Sequence, residues 1–356
     1  KNFLYSSFMK KKLAIISGIT GQDGSYLGKF LISKNYKVVG IDRFNSQNQK
    51  WRHHYLKIQN DIIYETCDLN DELGISQLVR KYKPDEFYNL AAHSFVKSSF
   101  DQPLSVIDVN AKAVVRILES IKQITPSTKF YQASTSEMFG GKSLSNLSLN
   151  SQFNPRSPYA YSKLLAHFAT KNYREAYNIF ACSGILFNHE SVLRGEEFVT
   201  KKIIKFLVNL KEGKSNSKKL SLGNLYSKRD WGSAEEYVTA MWRILQNKKA
   251  DDYIIGTGQS LSVKEFINYS MRYLSFKDFE WRGKGLNEKM YLNGKIVISI
   301  DPKFFRKTEV DRTKCNVNET YKKLKWKPKF SKQKLIQKLI DDEYLLQSFT
   351  QKFNSV

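Results

Sequence analysis

Apolar and polar positions alternate with two different periods along the first half of the chain. Short runs rich in β-branched residues predict strands at Leu13–Ser17, Lys37–Asp42, Ile62–Asp68, Glu86–Ala91, Lys129–Ser134 and Ile179–Asn188. Between them, apolar residues recur at helical spacing, as in Asp71–Tyr82, Leu104–Lys122 and Pro158–Tyr177. Such alternation is typical of βαβ units, in which helices cover both faces of a parallel sheet. The pattern predicts an α/β fold with a Rossmann-type, doubly wound parallel sheet.

The second half of the chain differs, because regular alternation weakens after Asn188 into loop-rich, lysine-rich sequence. At 356 residues the chain also exceeds the size at which a single core usually keeps growing. We expect a nucleotide-binding Rossmann domain over residues 9–188 and a smaller C-terminal substrate-binding lobe over residues 189–356. Segments around 230–260 are expected to return to the first domain. A ligand site is expected between the two.

The composition is basic, with 58 lysine and arginine residues against 34 acidic residues and a formal charge of +24. A basic surface attracts polyanions, so a non-catalytic Rossmann protein that binds RNA is one alternative. The lysines are spread along the chain, however, and no recognition-helix signature, zinc-finger spacing or aromatic RNA-binding motif accompanies them. We therefore expect a lysine-rich surface and no specific nucleic-acid partner.

Three features bear on where the protein works. No apolar run reaches the roughly 18 residues that a membrane span needs, so no membrane association is expected. Cys67, Cys182 and Cys315 form neither a CxxC pair nor an even set, which favours the reducing cytoplasm and argues against a zinc site. The first eight residues, KNFLYSSF, lack a signal-peptide pattern, and Met9 is the expected natural start.

A glycine-rich turn follows the first predicted strand. Gly18, Gly21 and Gly24 form the sequence GITGQDG at the start of a predicted helix. Glycines there permit a tight turn and bring the backbone close to a pyrophosphate, which the positive helix N-terminus stabilises. With a strand before it and a helix after it, this motif predicts a nicotinamide dinucleotide site.

The residues that end the second and third predicted strands bear on the choice of cofactor. Asp42 suits the free ribose hydroxyls of NAD and repels the 2′-phosphate of NADP, whereas the Arg43 guanidinium binds that phosphate. We expect NADP, with NAD as the alternative. Asp68 and Leu69 are placed to meet the adenine, and the small side chains of Asn89–Ala92 let the chain pass close to the cofactor.

A tyrosine and a lysine carry the expected chemistry. Tyr159 and Lys163 are four residues apart on a predicted helix, so their side chains project from one face. A nearby ammonium and a positive nicotinamide both stabilise phenolate, which predicts a lowered pKa for Tyr159 and a role as a base. The strand before this helix ends in the sequence STSE, at residues 134–137.

Seven segments carry a specific resemblance: GITGQDGSYL, YQASTSEMFG, PRSPYAYSK, GILFNHES, RGEEFVTKKI, RDW and FFRKTEVD. Together, from about Leu13 to Pro328, they resemble the GDP-mannose 4,6-dehydratases of the extended short-chain dehydrogenase/reductase family. The resemblance implies a lyase of nucleotide-sugar metabolism, as in GDP-fucose biosynthesis, that acts on GDP-mannose or a related GDP-sugar. It also implies a recycled NADP cofactor and a homo-oligomer, either a dimer or a tetramer.

The resemblance implies a role for each of four residues. Tyr159 takes the proton of the hexose 4-hydroxyl as hydride leaves carbon 4, and Lys163 holds the ribose and tunes Tyr159. Thr135 hydrogen-bonds the same sugar oxygen. Glu137 takes the proton from carbon 5, beside the new ketone, and then protonates the departing 6-hydroxyl. Related epimerases and reductases need no acid/base group at carbon 5, so Glu137 favours a dehydratase.

The glycine motif and the resemblance together predict the binding residues. Those expected at the cofactor are Gly18, Gly21, Gln22, Asp23, Gly24, Arg43, Asp68, Leu69, Leu90, Ala91, Ala92, Ser94, Tyr159, Lys163, His189 and Arg194. Those expected at the sugar nucleotide are Asn188, Lys202, Arg229, Arg306 and Glu309. No metal is expected, because His189 lacks the partner histidines or cysteines of a metal site.

The chain departs from the family pattern at several positions. After Arg43 it reads FNSQNQKWRHH, where the family has a second arginine and a serine-rich stretch that contacts the 2′-phosphate and a neighbouring subunit. Phe95, Ser105 and the pair Val192-Leu193 stand where a histidine, a tyrosine and Pro-Arg are typical. NAD therefore stays open as cofactor. Another GDP-hexose or a heptose stays open as substrate, and an epimerase or reductase of the same superfamily is the alternative activity.

Overall fold

The computed structural model describes residues 11–43, 50–140, 146–214, 219–305, 308 and 310–353. Its strands are β1 (Leu13–Ser17), β2 (Lys37–Asp42), β3 (Ile62–Thr66), β4 (Glu86–Asn89), β5 (Lys129–Thr135), β6 (Ala181–Leu186), β7 (Asn188–Glu190), β8 (Leu220–Leu222), β9 (Lys228–Arg229), β10 (Trp231–Ser233), β11 (Asp252–Ile255), β12 (Leu261–Ser262), β13 (Phe279–Arg282), β14 (Lys289–Leu292) and β15 (Lys295–Ile300). Its α-helices are α1 (Gln22–Ser33), α2 (Trp51–Leu56), α3 (Glu72–Tyr82), α4 (Val96–Ser99), α5 (Pro103–Ile107), α6 (Ala113–Ile124), α7 (Pro158–Tyr177), α8 (Val199–Lys211), α9 (Ala234–Leu245), α10 (Val263–Tyr273), α11 (Asn318–Leu324) and α12 (Lys332–Phe353).

Seven strands form the central sheet, in the order β11-β6-β5-β4-β1-β2-β3, and every neighbouring pair is parallel. Successive residues of β1 face opposite sides of the sheet. Ile16 packs with α1 and α9, and Ile15 packs with α3, α6 and α7. The sheet is buried on both faces, which is why its strands are continuous apolar runs. The predicted Rossmann-type, doubly wound sheet is confirmed.

The helix predicted over Leu104–Lys122 differs from what the structure contains. The structure divides it into α5, one π-helical turn at Asp108–Lys112, and α6. A π-helical turn carries an additional residue, and such turns are frequent at functional sites. This one holds the buried side chain of Asn110 against the loop that follows β4. An apolar periodicity does not contain the information that one residue is inserted into the turn.

A second core lies beside the central sheet. A four-stranded sheet in the order β13-β14-β15-β8 packs with α8, α10 and α12 around an apolar cluster that includes Phe266, Met290 and Ile340. Between them the chain returns to the first sheet, where β11 pairs with β6. Two hydrogen bonds of 2.9 and 3.0 Å from Arg174 of α7 to Asp252 of β11 secure this edge. The division of domains at residue 188 stays a prediction.

Three further features concern the cysteines, the apolar character of the helices and the grouping of side chains that bind metals. The three cysteines are buried and free of disulfides. In the part of the chain that the structure describes, none of the helices has both the length and the apolar character of a membrane span. Within the same residues, no three side chains of His, Cys, Asp or Glu are grouped as metal ligands would be.

A buried ion pair joins α12 to α8. The Lys201 Nζ lies 2.6 Å from the Glu343 Oε2, and the two side chains are only 6% and 3% exposed. The same ammonium donates to the carbonyl oxygen of Val192 at 2.8 Å. Charges with so little access to water are stable only when they are paired and hydrogen-bonded. The C-terminal helix is thereby connected to the segment that follows β7.

We expect Lys201→Met to lower the free energy of unfolding by about 3–5 kcal/mol, because it leaves the Glu343 carboxylate buried without its partner. The double variant Lys201→Met/Glu343→Leu should recover most of this loss, since both charges are then removed. Urea unfolding followed by circular dichroism measures both variants. Equal destabilisation of the single and double variants would show that the pair contributes through packing alone.

Candidate active site

A cleft of about 730 Å³ opens at the carboxyl edge of the central sheet. Parallel strands present their carboxyl ends at one edge, so the loops after β1, β2, β4 and β5 meet there. The helices α7 and α8 and the segment after β7 complete the walls. Every described residue that the sequence predicts at a cofactor or substrate site lies along this cleft.

The glycine-rich turn packs tightly against the loop after β4. Gly18 has a φ of +73°, and a Cβ atom there would lie 2.8 Å from the backbone N and Cα of Ala91. A Cβ at Gly24 would lie 2.2 Å from the carbonyl oxygen of Gly18. Gly21 is the N-cap residue of α1 and lines the cleft, so the N-terminus of this helix faces the cleft. No side chain of the N-cap residue covers the N–H groups there. This backbone cradle fits the pyrophosphate of a dinucleotide.

The Asp42 carboxylate at the cleft accepts hydrogen bonds from neighbouring residues of the protein. Its Oδ2 accepts hydrogen bonds from the Thr20 backbone N–H, at 3.1 Å, and from the Thr20 hydroxyl. Its Oδ1 accepts from the Arg43 backbone N–H at 3.1 Å. The Arg43 side chain is exposed and lines the cleft. The sequence identifies both residues but not the commitment of the carboxylate to Thr20.

Capping places the tyrosine and the lysine. The Ser157 hydroxyl accepts from the Ala160 N–H at 3.1 Å and begins α7, with Pro158 as its first residue. Tyr159 then lies in the first turn and Lys163 one turn later, on the face directed at β5. The Lys163 Nζ is buried and donates to the Ala133 carbonyl oxygen at 3.0 Å.

The acid–base properties of this pair differ from the expectation. Burial lowers the pKa of Lys163 to about 8. Burial also raises the pKa of Tyr159 to about 12, and a hydrogen bond from the Thr135 hydroxyl opposes that rise only in part. The sequence predicts a lowered pKa for Tyr159. The side chains alone do not produce it, because Lys163 is directed at the Ala133 carbonyl and desolvation is the largest effect.

Glu137 follows the end of β5. Thr135 is the last residue of that strand, and a single 3₁₀ turn at Ser136–Met138 comes next. The Thr135 hydroxyl accepts from the Glu137 backbone N–H at 3.3 Å and caps this turn. The half-buried Glu137 side chain thereby lies along the same cleft as Tyr159.

A buried histidine–aspartate pair links β7 to α1. The His189 Nε2 lies 2.7 Å from the Asp23 Oδ2, and its Nδ1 is 2.8 Å from the Phe187 carbonyl oxygen. Burial lowers the pKa of His189, but the Asp23 carboxylate outweighs it and raises the pKa above the ordinary value. Burial raises the pKa of Asp23, and the attraction of His189 holds it below its ordinary value. Each group therefore favours the charged form of the other, with imidazolium beside carboxylate.

Sequence reasoning missed Asn110. Its Oδ1 accepts from the His93 N–H at 2.8 Å, and its Nδ2 donates to the His93 carbonyl at 3.3 Å and to the Ser162 hydroxyl at 3.2 Å. It joins the loop after β4 to α7. A polar residue within an apolar helical pattern is the signal that could have identified it. Other cleft residues that sequence reasoning did not select are Thr20, Arg52, Lys97, Glu197 and Phe304.

The structure gathers most of the predicted residues. The predicted catalytic residues in the cleft are Thr135, Glu137, Tyr159 and Lys163. The predicted cofactor residues there are Gly18, Gly21, Gln22, Asp23, Gly24, Arg43, Asp68, Leu69, Leu90, Ala91, Ala92, Ser94, His189 and Arg194, in addition to the tyrosine and lysine above. The predicted substrate residues Asn188, Lys202 and Arg229 also line it, whereas Arg306 and Glu309 lie outside the described residues.

The seven-stranded parallel sheet and the cleft at its carboxyl edge define a Rossmann-type α/β protein. The structure resembles dTDP-glucose 4,6-dehydratase of Bacillus anthracis, with a TM-score of 0.78 and 18% identity over 95% of this chain and 98% of that one. It also resembles UDP-glucose 4-epimerase of Thermotoga maritima, with a TM-score of 0.78 and 17% identity over 95% and 99% of the two chains. At these identities the likeness establishes a shared fold.

Sequence comparison narrows this class to one family. The model of the GDP-mannose 4,6 dehydratase family matches residues 15–339. The chain is 42% identical to GDP-mannose 4,6 dehydratase of Dictyostelium discoideum over 94% of its own length and 97% of the relative. It is 41% identical to the human enzyme of the same name, over 93% and 91% of the two chains. The chain belongs to the GDP-mannose 4,6 dehydratase family, which confirms the resemblance carried by its motifs.

The His189–Asp23 pair is expected to make the stability of the folded protein depend on pH. In wild-type protein the stabilisation from this pair is complete between pH 3.8 and 6.5, the ordinary pKa values of the two groups. It is lost as the pH rises through the raised pKa of His189 or falls through the lowered pKa of Asp23. Asp23→Asn should move the pKa of His189 below 6.5, because burial then predominates.

Nuclear magnetic resonance of ring-labelled histidine measures that change directly. His53 serves as an internal control, since burial already lowers its pKa and its ring contacts Tyr64 and Ile19 instead. A His189 pKa that stays above 6.5 in Asp23→Asn would show that the carboxylate is not what holds the imidazole protonated.

Proposed function

We propose that this chain removes water from GDP-mannose to give GDP-4-keto-6-deoxymannose, through transient oxidation at carbon 4 of the hexose. The observation that carries the proposal is the convergence of Thr135, Glu137, Tyr159 and Lys163 in one cleft of a family member. The curated relatives in Dictyostelium discoideum, Vibrio cholerae and human, 41–42% identical, are all named as GDP-mannose 4,6-dehydratases. These relatives favour a dehydratase over an epimerase or a reductase. They also favour GDP-mannose over other GDP-sugars as the substrate.

The cofactor is a nicotinamide dinucleotide, with NADP as the preferred form and NAD as the alternative. The cradle formed by Gly18, Gly24 and Ala91 supports this assignment because it leaves room only for backbone beside a pyrophosphate. Arg43 supplies a cation at the end of β2, where the adenosine ribose of a dinucleotide lies. When bound, the nicotinamide supplies a hydride acceptor and a positive charge.

The residues of the chain move the protons. Tyr159 takes the proton of the 4-hydroxyl, assisted by the hydrogen bond from Thr135 that favours its phenolate. Lys163, with a pKa of about 8, remains largely an ammonium at neutral pH and holds the ribose. Glu137 removes the proton from carbon 5, which the neighbouring ketone has made acidic, and delivers a proton to the departing 6-hydroxyl. The hydride taken from carbon 4 returns to carbon 6, and a proton is added at carbon 5 in place of the one that left with the hydroxyl. The net change is therefore the loss of one water molecule.

The sugar nucleotide lies on the lobe side of the cleft. Lys202 of α8, Arg229 of β9 and Asn188 of β7 come together there from three separate elements. The Lys202 ammonium lies 5.6 Å from the centre of the Phe304 ring. A lysine and an arginine suit the two phosphates of a GDP-sugar, because guanidinium binds phosphate oxygens in pairs and ammonium acts as a point charge.

Glu137→Gln should retain cofactor binding and lose dehydration by about two to four orders of magnitude, the usual contribution of a general acid/base. The amide keeps the size of the side chain but cannot take up the carbon-5 proton. Product release from GDP-mannose, followed by mass spectrometry, measures the loss. A variant that still forms the 4-keto-6-deoxy sugar at nearly the wild-type rate would refute the assignment.

Tyr159→Phe provides the matched comparison, because it acts one step earlier. It should block the oxidation itself, so that no reduced cofactor absorbs near 340 nm when GDP-mannose is added, whereas Glu137→Gln still permits that step. Equal absorbance changes in the two variants would contradict the order of steps.

The chain assembles as a homo-oligomer, and α7 offers the face for it. Tyr161, Leu165 and Phe168 follow one another at helical spacing and are 40%, 52% and 47% exposed. Soluble proteins rarely leave a contiguous apolar patch uncovered, and most oligomers pair identical faces. A second copy of this chain covers the patch most simply.

Leu165→Asp/Phe168→Asp should convert the oligomer to a smaller species, because the pair would place four charges in a two-fold interface. Size-exclusion chromatography with light scattering measures the mass. Leu73→Asp on α3 is the control, as Leu73 is 67% exposed and lies on a different helix. An unchanged mass in the double variant would exclude this face.

The cysteines and the surface charge support two further assignments, the compartment and the kind of ligand. We place the enzyme in the cytoplasm, which suits three free, buried cysteines. The basic surface serves phosphate-bearing ligands, and no specific nucleic-acid partner is proposed.

A further inference from the structure

Helix α7 presents a polar stripe, formed by Tyr159, Lys163 and His167, to the end of β5. These residues are four apart, so their side chains lie on one face of the helix. The Thr135 hydroxyl is hydrogen-bonded to Tyr159. Lys163 donates to the Ala133 carbonyl oxygen at 3.0 Å. The third residue of the stripe, His167, is not part of the proposed chemistry.

His167 contacts the residue that lies between these two points of β5. Its Nδ1 is 3.3 Å from the Ser134 Oγ, and the two residues are only 4% and 2% exposed. Ser134 stands between Ala133 and Thr135, the partners of the other two residues of the polar stripe. Three residues of α7 thus engage three consecutive residues of β5, and His167 fixes the middle one.

The other contacts of His167 orient its ring. The Phe153 ring packs edge-on against the imidazole, with the ring centres 5.5 Å apart. The imidazole Nε2 lies 3.9 Å from the Asp252 Oδ2 of β11. Burial lowers the pKa of His167, although Asp252 opposes this, so the ring is largely neutral at pH 7. The carboxylate favours the proton on Nε2, which leaves Nδ1 to accept from the Ser134 hydroxyl.

A serine, a histidine and an aspartate also form the nucleophilic triad of hydrolases, but the geometry here differs. In that triad the serine contacts Nε2 and the aspartate accepts from Nδ1–H, whereas Ser134 contacts Nδ1. Asp252 also accepts two hydrogen bonds from Arg174, at 2.9 and 3.0 Å. These contacts support a positioning role for His167 and not a second reaction centre.

We propose that His167 is a positioning residue for the oxidation at carbon 4, acting through Ser134 to hold the end of β5 against α7. The inference rests on the proposed dehydratase function, in which Tyr159 takes the proton of the 4-hydroxyl as hydride leaves. That step requires Thr135 and Tyr159 to approach the same sugar oxygen. A displacement at the end of β5 would separate them, and a misplacement of about 1 Å can cost about a hundredfold in rate.

The Glu137→Gln background isolates the oxidation, because it is expected to permit that step and to stop before dehydration. Absorbance of the reduced cofactor, followed by stopped flow after GDP-mannose is added, measures the rate. Adding His167→Phe, which keeps a ring and loses both nitrogens, should lower the rate at saturating GDP-mannose by about ten- to a hundredfold. Adding Ser134→Ala, which removes only the hydroxyl, should lower it to a similar extent.

Two further variants separate a specific contact from general packing. His167→Asn places an amide near the position of Nδ1 and should recover most of the lost rate. Thr170→Val is the matched control, since the Thr170 hydroxyl is buried on the same helix but donates to the Ala166 carbonyl at 2.8 Å. It should leave the rate within about twofold. The GDP-mannose concentration that gives half the maximal rate should stay within about threefold throughout, because the proposed substrate residues lie on other elements.

Three results would overturn the inference: an unchanged rate with Ser134→Ala, a rate with His167→Asn as low as that with His167→Phe, or an equal loss with Thr170→Val. Thermal unfolding of each variant identifies loss of fold, and Ser134→Ala decides the question if His167→Phe does not fold. If wild-type protein forms no product from GDP-mannose and Glu137→Gln forms no reduced cofactor, the proposed function fails instead, so the two failures are distinguishable.

Discussion

Exclusion of side chains at the glycine-rich turn is the constraint on which the site depends. Because Gly18 has no Cβ atom, its backbone can lie directly against the loop after β4. That loop is held through His93 to Asn110, and Asn110 binds Ser162 on α7. Ser162 in turn donates to the carbonyl of Tyr159 at 2.8 Å. A series of short polar contacts thus runs from the cofactor cradle to the proposed base, and a displacement at either end would be felt at the other.

The buried charges around the cleft are balanced locally. His189 and Asp23 neutralise one another across the junction of β7 and α1. Burial lowers the pKa of Lys163, whose ammonium donates to the Ala133 carbonyl oxygen. The opposite shifts of His189 and Lys163 follow from two effects: burial lowers the pKa of either cation, and at His189 the adjacent Asp23 carboxylate outweighs burial. The cleft therefore contains two cationic side chains, His189 and Lys163, whose pKa values are shifted in opposite directions.

Much of this architecture could be predicted from the sequence. The six strands of the first half were predictable because strands buried on both faces are continuous apolar runs, and GITGQDG identified the turn between β1 and α1. Three features were not predictable. The π turn at Asp108–Lys112 leaves no trace in apolar spacing. The capture of Asp42 by Thr20 and the approach of Arg52 depend on contacts between segments distant in the chain. The raised pKa of Tyr159 reflects desolvation, which only a packed structure reveals.

The edge strand β11 has a consequence for synthesis on the ribosome. It pairs with β6, yet some 65 residues separate the two strands, and Arg174 receives its partner Asp252 only when that later segment has emerged. Until then β6 presents an unpaired edge and Arg174 a half-buried charge. Domains generally fold as units during synthesis, from the N-terminus onward. The sheet is complete only when β11 has been synthesised, and until then the free edge of β6 offers unpaired backbone groups with which another strand can pair.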